Sequence, residues 1–504
     1  MSMNDTTNAS LDLIRKSQAS PVDLAKSTFS QSASATSGLT FYDLEPGAKL
    51  LYPVLTPLRN IIPRVSGKGG IQASWRAVTA INSTNVGAGL GAGNRGGVIP
   101  VTTADYIAAY RGLGLESNVD FEADYAARGF DDVKALAVQS LLESLMIQEE
   151  HTILGGNASL ALGTCPTPSV TGSTSGGTVS TGTTLSVKCV ALTYEGYYRS
   201  SIANGVPGQI TRTNADASTD TFGGGTSQVS AAGTGTVGSS AGSATATVTA
   251  VKGAVAYAWY WGASGSEKIG AITTINSVSI TADAAGTQTP AAAGSFSGLA
   301  SDYSRNTLIF DGLISQICTS GSNAYYKALA TGTAGVGTPL TSNGAGGISE
   351  IDAALKSFWD NYRLSPDTIW VSSQEQGNIS AKVLATTSGN PGAQRFVFSA
   401  DQSKVGGGVM VTSYRNPYSM DGAKEIPIKL HPTLPPGTII FTTNRLPYPM
   451  SNVANVVQVR TRQEYYQIEW PLRSRKYEYG VYCDEVLQNY APFAFGVITN
   501  IANG

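Results

Sequence analysis

The stretch from Arg64 to Arg111, RVSGKGGIQASWRAVTAINSTNVGAGLGAGNRGGVIPVTTADYIAAYR, decides how this chain is read. Its two ends, 70–82 (GIQASWRAVTAIN) and 98–110 (VIPVTTADYIAAY), are rich in β-branched and aromatic residues. They predict two strands, one running out and one returning. Between them lies Gly87-Ala88-Gly89-Leu90-Gly91-Ala92-Gly93-Asn94-Arg95-Gly96-Gly97. Such a run is too costly in chain entropy and too poor in apolar groups to form a core. The stretch reads as a hairpin arm with a glycine tip, and an arm of that kind needs a neighbour.

Charge points the same way. Residues 59–111 carry Arg59, Arg64, Lys68, Arg76, Arg95 and Arg111 against Asp105, a net of +5. Residues 112–150 carry Glu116, Asp120, Glu122, Asp124, Asp131, Asp132, Glu143, Glu149 and Glu150 against Arg128 and Lys134, a net of −7 in a chain whose total is −2. Adjacent blocks of opposite sign can close on copies of themselves. The expected contacts between subunits are Arg64, Lys68, Arg76 and Arg95 from the arm and Glu116, Asp120, Glu122, Asp131 and Asp132 from the acidic block.

At 504 residues the chain is long for one core, and two to four domains are expected. Only 13% of residues are charged, about half the usual share, so the surface relies on neutral residues or is covered by partners. No apolar run approaches a membrane span, and the start, MSMNDTTNASLDLIRKSQAS, lacks the apolar core of a signal peptide, so a cytoplasmic location is expected. Cys165, Cys189, Cys318 and Cys483 form no C-x-x-C pair, and His151 and His431 are the only histidines. That nearly excludes a zinc site and favours four buried thiols over a Cys165–Cys189 bridge.

Residues 1–63 read as an arm followed by a proline-rich strap, and 64–111 as the extended basic loop. Within 112–164, residues 115–127 predict a further strand. A long helix follows, with Asp131 as N-cap, an apolar stripe of Val133, Leu136, Ala137, Leu141 and Leu145, and Gly155 and Gly156 as its end. About 24 residues at 1.5 Å each make a rod of roughly 36 Å. Residues 165–300 hold five basic and five acidic residues among abundant Ser, Thr, Gly and Ala. The runs TTLSVKCVALTY, SATATVTAVK, AVAYAWYWG, KIGAITTI and SVSITA predict a β-sandwich of about seven strands, autonomous and lying on an outer face. Residues 301–455 return to α/β, with Ser349 capping a helix that Pro366 stops, Ser373 capping a second helix, and strands at TIWVSS, VGGGVMVTSY, IPIKLHP and GTIIFTT. Residues 456–504 predict closing strands, the last of them buried.

Candidate chemistry is sparse. Gly91-x-Gly93-x-x-Gly96 matches the dinucleotide fingerprint in letters alone, because no helix opens after it and Pro100 follows. His151 reads as a cation near a helix C-terminus. His431, before Pro432, has no nucleophile motif beside it. The tyrosines and arginines of 460–482 could stack on nucleic acid, but interleaved glutamates favour a two-faced sheet. No catalytic residue, cofactor or metal is expected, and the chain does not read as an enzyme.

Three stretches carry a resemblance. EYYQIEWPLRSRKYEYGVYCDEVLQNYAPFAFGVITNI at the C-terminus looks like the closing strands of the peripheral domain of tailed-bacteriophage major capsid proteins. ARGFDDVKALAVQSLLESLMIQEEHTILGGN looks like that family's spine helix, and SPDTIWVSS with IPIKLHPTLPPGTIIFTTN looks like its axial domain. The resemblance covers about 1–164 and 301–504. It implies an α+β capsid fold (N-terminal arm, extended loop, spine helix, peripheral and axial domains) with an inserted immunoglobulin- or fibronectin-like sandwich. It further implies hexamers and pentamers in an icosahedral shell around double-stranded DNA held non-specifically, assembled in a host bacterial cytoplasm. Scaffolding, portal and decoration proteins would be partners, and no membrane. Some relatives cross-link a loop lysine to an asparagine, but Lys68 lies near the base of the hairpin and no bond is expected. An encapsulin-like compartment shares the fold. A surface or tail adhesin with a glycan-binding sandwich would explain 165–300 but leaves the arm and long helix without a role.

Overall fold

The computed structural model describes residues 52–81, 89–128, 131–179, 184–238, 242–290, 298–384, 410–420 and 424–504. The N-terminal arm, Gly87 and Ala88 of the glycine run and the start of the strand expected at 405–414 lie outside the described residues. The fold mixes helices and sheets, and the chain divides into two compact units.

One unit comprises Met1–Thr56, Leu115–Ile147 and Gln467–Val481. The strand expected over 115–127 ends at Asp120, and Phe121–Ala127 is a helix instead. The physical reason is local: this segment is alanine-rich, and Glu122 and Asp124 sit in its first turn, where the helix dipole favours acids. Phe121 N donates to Arg475 O at 3.2 Å and its ring lies 4.7 Å from Tyr477. The long helix is Val133–Gly155, 23 residues. Its cap is Asp132 rather than Asp131: Ala135 N donates to Asp132 Oδ1 at 3.1 Å. Lys134 pairs with Asp124 at 3.3 Å and sits 3.6 Å above the Tyr477 ring. Leu141 and Leu145 are buried while Gln139, Ser140 and Ser144 face water, as the 3.6-residue period demands.

The other unit comprises Pro57–Gly114, Gln148–Tyr466 and Tyr482–Gly504. Its centre is a six-stranded sheet in the order Tyr325–Ala328, Gly496–Thr499, Ile439–Thr442, Thr368–Val371, Lys424–Leu430, Ser413–Asn416. Three of these strands, TIWV, IIFT and GVIT, are buried at every position, so they read as continuous apolar runs. The helix Ser349–Tyr362 covers the core with Ile351, Ala354, Leu355 and Phe358, spaced as one helical face. It stops at Arg363, ahead of Pro366: Arg363 is left-handed, with φ of 54°, and the amides of Arg363 and Leu364 reach back to the carbonyls of Trp359 and Phe358. Ser349 lies inside the first turn, and Ile348 before it offers no side-chain cap. Ser372, not Ser373, caps the helix Ser373–Leu384 through the amide of Glu375 at 3.3 Å.

Residues 165–300 also belong to this unit. Seven of their strands make two sheets, one ordered Ser277–Ile280, Ser243–Thr247, Ser169–Ser173 and the other Lys268–Thr273, Ala256–Gly262, Thr184–Leu192, Gly233–Thr236. Leu185, Val187 and Cys189 from the second sheet meet Ala244, Ala246, Val278 and Ile280 from the first around Trp259. The other face of the second sheet is covered too, because Ala256, Ala258 and Tyr260 pack with Val206 and Leu299. That double burial explains why AYAWYWG carries no alternation. The short helix Tyr194–Arg199 and the hairpin Gln209–Thr213/Thr219–Gly223 complete the module and were not visible as periodic patterns. Its entering and leaving segments run side by side: Asn157 Nδ2 donates to Ser304 O at 2.7 Å, and Leu162 N to Ser304 Oγ at 3.0 Å. Asn276 N donates to Asn500 Oδ1 at 2.6 Å, and Asn500 Nδ2 to Leu329 O at 2.7 Å, so the module is bonded to the segments around the six-stranded sheet.

Candidate assembly arm and the charge knot at its base

Gln72–Ala80 and Thr102–Ala109 pair antiparallel as a two-stranded ribbon. Trp75 stands opposite Tyr106, their rings stacked at 5.9 Å, and Trp75 meets Tyr490 edge-on at 5.5 Å. Toward the tip, Asn94 N donates to Gly91 O at 3.0 Å and Gly93 takes φ of +82°, a turn that glycine adopts freely. No helix opens after Gly96, so the glycine pattern is a loop. Large apolar side chains stand in water along the ribbon and its tip: Val98 is 89% exposed, Ile71 78%, Ile107 66% and Val78 62%.

Several of the predicted contact residues have partners within their own unit. Arg76 lies directly across the ribbon from Asp105 and grips it at 2.7 and 3.1 Å. Lys68 and Arg95 are exposed. Asp120 pairs with Lys476 at 3.4 Å and Glu122 with Arg475 at 2.6 Å. Asp132 caps its helix, Asp131 is half-buried before it, and Glu116 is exposed on the strand Arg111–Asp120.

Arg64 turns inward, into a cluster that block-charge counting did not find. Its Nη1 lies 2.5 Å from Glu149 Oε1 and its Nη2 2.7 Å from Glu485 Oε2. Arg59 Nε lies 2.8 Å from Glu149 Oε2, and Tyr465 donates its hydroxyl to the same carboxylate. Next along the helix, Glu150 accepts the amides of Leu58 at 2.9 Å and Arg59 at 2.7 Å, which are first-turn amides of the short helix Pro57–Ile61. His431 Nε2 lies 2.7 Å from Glu150 Oε1. Both glutamates are essentially buried. Burial first, then the charge of Glu149, pushes the Glu485 carboxyl up to about 8. Burial and Glu149 likewise hold the Tyr465 hydroxyl above its usual range. Apolar flanks alone did not single the cluster out: Glu149-Glu150 sits among Ile147, Ile153 and Leu154, but Glu143 sits among Leu142, Leu145 and Met146 and is only half-buried.

His151 corrects another expectation. It is buried, its Nδ1 is 2.6 Å from Tyr194 Oη, and its ring lies 4.1 Å from Tyr198. Burial lowers its pKa to about 4, so at neutral pH it is a neutral core residue and not a cation on the helix dipole. All four cysteines are buried and free, with Cys165 and Cys189 in contact. Among the described residues no group of three or more His, Cys, Asp or Glu side chains is placed to hold a metal, and no helix is long and apolar enough to cross a membrane.

No protein-family model and no curated protein matches the sequence. Solved structures similar to the chain include the capsid of a native GTA particle, with 9% identity and a TM-score of 0.40, covering 92% of this chain and 96% of that one. Mycobacterium phage Ogopogo matches at 9% identity and a TM-score of 0.38, over 92% and 96%. The holo-SrpI encapsulin complex from Synechococcus elongatus PCC 7942 matches at 8% and a TM-score of 0.37, over 90% and 93%. The solved structures this chain is similar to thus include phage and GTA capsids and an encapsulin.

Proposed function

We propose that this chain is a structural subunit that assembles with copies of itself into a closed shell. The observation that carries the reading is the ribbon, which holds Val78 and Ile107 in water on either side of the Arg76–Asp105 pair, with Val98 exposed toward its tip. A two-stranded ribbon is marginal in water by itself, and large apolar side chains held in water on it favour a covering partner. A second copy laid under the ribbon removes both costs. Lys68 and Arg95 are its outward cations, with the half-buried Asp131 among the acids it meets, while Glu116 already has an interaction in its own chain. Arg64, Arg76, Asp120, Glu122 and Asp132 are engaged in their own chain and contribute shape more than free charge.

In its finer form the reading is a phage-type major capsid protein. Hexamers and pentamers close an icosahedral shell around double-stranded DNA, with scaffolding, portal and decoration proteins as partners. Residues 165–300 serve as an immunoglobulin- or fibronectin-like decoration of the outer surface. Their two-sheet strand order, with Thr184–Leu192 paired to Ala256–Gly262 at the centre of one sheet, supports this. The test is sedimentation and negative-stain imaging of the expressed chain, followed by assay of nuclease-protected contents. Closed shells protecting DNA support the finer reading, and shells holding protein cargo would redirect it to a compartment. A stable monomer at all concentrations overturns the proposal.

A further inference from the structure

The strap 57–66 leads directly into the ribbon, and every charged group that anchors it lies in the knot. Three carboxyls, Glu149, Glu150 and Glu485, face two guanidiniums, Arg59 and Arg64. We propose that the knot is a proton-operated latch: a proton on the Glu485 carboxyl, beside Glu149, holds the strap shut, and its loss loosens the base of the ribbon. This inference goes beyond shell formation and does not depend on it.

The geometry supports the latch from each element packed around the pair. The strap supplies Arg59 and Arg64, which bridge to both carboxyls. The long helix supplies Glu149 and Glu150, the strand Val457–Glu469 supplies Tyr465, and the strand Lys476–Asn489 supplies Glu485 with Cys483 near it. His431 faces Glu150 from the turn after Lys424–Leu430. The Glu149 and Glu485 carboxyls are neighbours on the two terminal nitrogens of one Arg64 guanidinium, and Glu485 Oε1 is buried without a donor among the described residues. Three buried carboxyls meet two guanidiniums here: Arg59 and Arg64 both serve Glu149, Glu485 has only the second nitrogen of Arg64, and His431 reaches Glu150. A third buried anion beside Glu149 is opposed by like charge and by desolvation.

Burial and Glu149 raise Glu485 to about 8 in the closed form, whereas a carboxyl in water titrates at about 4.5. The closed form therefore holds the proton more tightly than an open, hydrated one. Closure is fully favoured below the hydrated value and is lost as pH rises toward the closed one. Opening should grow close to tenfold per pH unit across that window and level off above it.

The test is hydrogen exchange on the full-length, unassembled chain at pH values from about 5 to 9, corrected for intrinsic rates. The reporting amides are Leu58 and Arg59, which donate to Glu150, and Gly67, which donates to Thr461 O. Their protection should fall nearly tenfold per unit up to about pH 8, while Ile440 and Val497 in the six-stranded sheet stay constant. Glu485→Gln, which mimics the protonated carboxyl, should keep strap protection flat. Wild-type protection that is flat with pH, a variant that keeps the wild-type slope, or a parallel loss at Ile440 and Val497 overturns the latch. If the variant does not fold, the wild-type slope alone decides.

Discussion

Asp132 and Ser372 each cap a helix, and each stands beside a residue with the same capping chemistry, Asp131 and Ser373. A doublet of cap formers announces a helix start but leaves its phase to the backbone. Asp132→Ala should therefore cost about 1 kcal/mol in urea unfolding, and Asp131→Ala less than about 0.5 kcal/mol. Equal costs would place the cap elsewhere. Burial of charge was less legible than capping. Glu143 and Glu149 look alike in sequence, yet one keeps its helix-surface neighbour Gln139 and the other is closed over by Arg59, Arg64 and Tyr465. Tyr465 lies 316 positions from Glu149, and no local pattern announces that contact. Arg64→Ala removes the bridge between Glu149 and Glu485 and should destabilise the chain by roughly 1–3 kcal/mol, since Glu149 keeps Arg59 and Tyr465 while buried Glu485 Oε2 loses its donor. Restoring Arg64→Met with Glu485→Leu should recover much of that loss. If the double variant is no better than the single, the partners are not coupled.

At the scale of elements, the buried strands were legible as continuous apolar runs and the long helix by its length and its start and stop residues, while the joints between them were not. The run AYAWYWG announced a buried strand, but the second layer over it came from scattered residues such as Val206 and Leu299. The module's helix Tyr194–Arg199 supplies Tyr194 and Tyr198 to His151, a contact that no spacing in either segment forecasts. Two outcomes follow from this joint. Replacing 165–300 by a short linker is geometrically easy, because the flanks already meet at Asn157 and Ser304. The shortened chain should nonetheless melt at a lower temperature, having lost the partners of His151 and Asn500. An unchanged melting temperature would make the module independent of its surroundings. His151 itself has a folded pKa of about 4 against 6.5 in the unfolded chain. The unfolded state thus binds the extra proton between those values, so the stability His151 supplies is intact above pH 6.5 and is lost as pH falls toward 4. His151→Phe should flatten that part of the stability profile, as urea midpoints across pH 4–7 would reveal.

For the whole molecule, the charge blocks read from sequence suggest that salt should govern assembly. Most of those charges have partners in their own chain, while the apolar Val78 and Ile107 stand outward on the ribbon. Val78→Asp with Ile107→Asp should block or misdirect assembly while the subunit still folds. Lys68→Glu with Arg95→Glu should shift it only modestly, since exposed pairs are worth about 0.2–1 kcal/mol. Light scattering at two ionic strengths separates the two. If the charge reversals dominate and the apolar changes do nothing, the ribbon seats by electrostatics after all.

The six-stranded sheet places Gly496–Thr499 between Tyr325–Ala328 and Ile439–Thr442. Residues 496–499 are thus an interior strand that joins Tyr325–Ala328, far away in sequence, to Ile439–Thr442. Loop closure over such a separation has to be met before the pairing rewards it, so the sheet cannot close from neighbouring segments alone. Deleting residues 496–499 should split Tyr325–Ala328 from the rest of the sheet and leave Ile439–Thr442 as an open edge, giving chains that enter neither native subunits nor mixed assemblies; native subunits recovered from the deletion would show the strand to be dispensable.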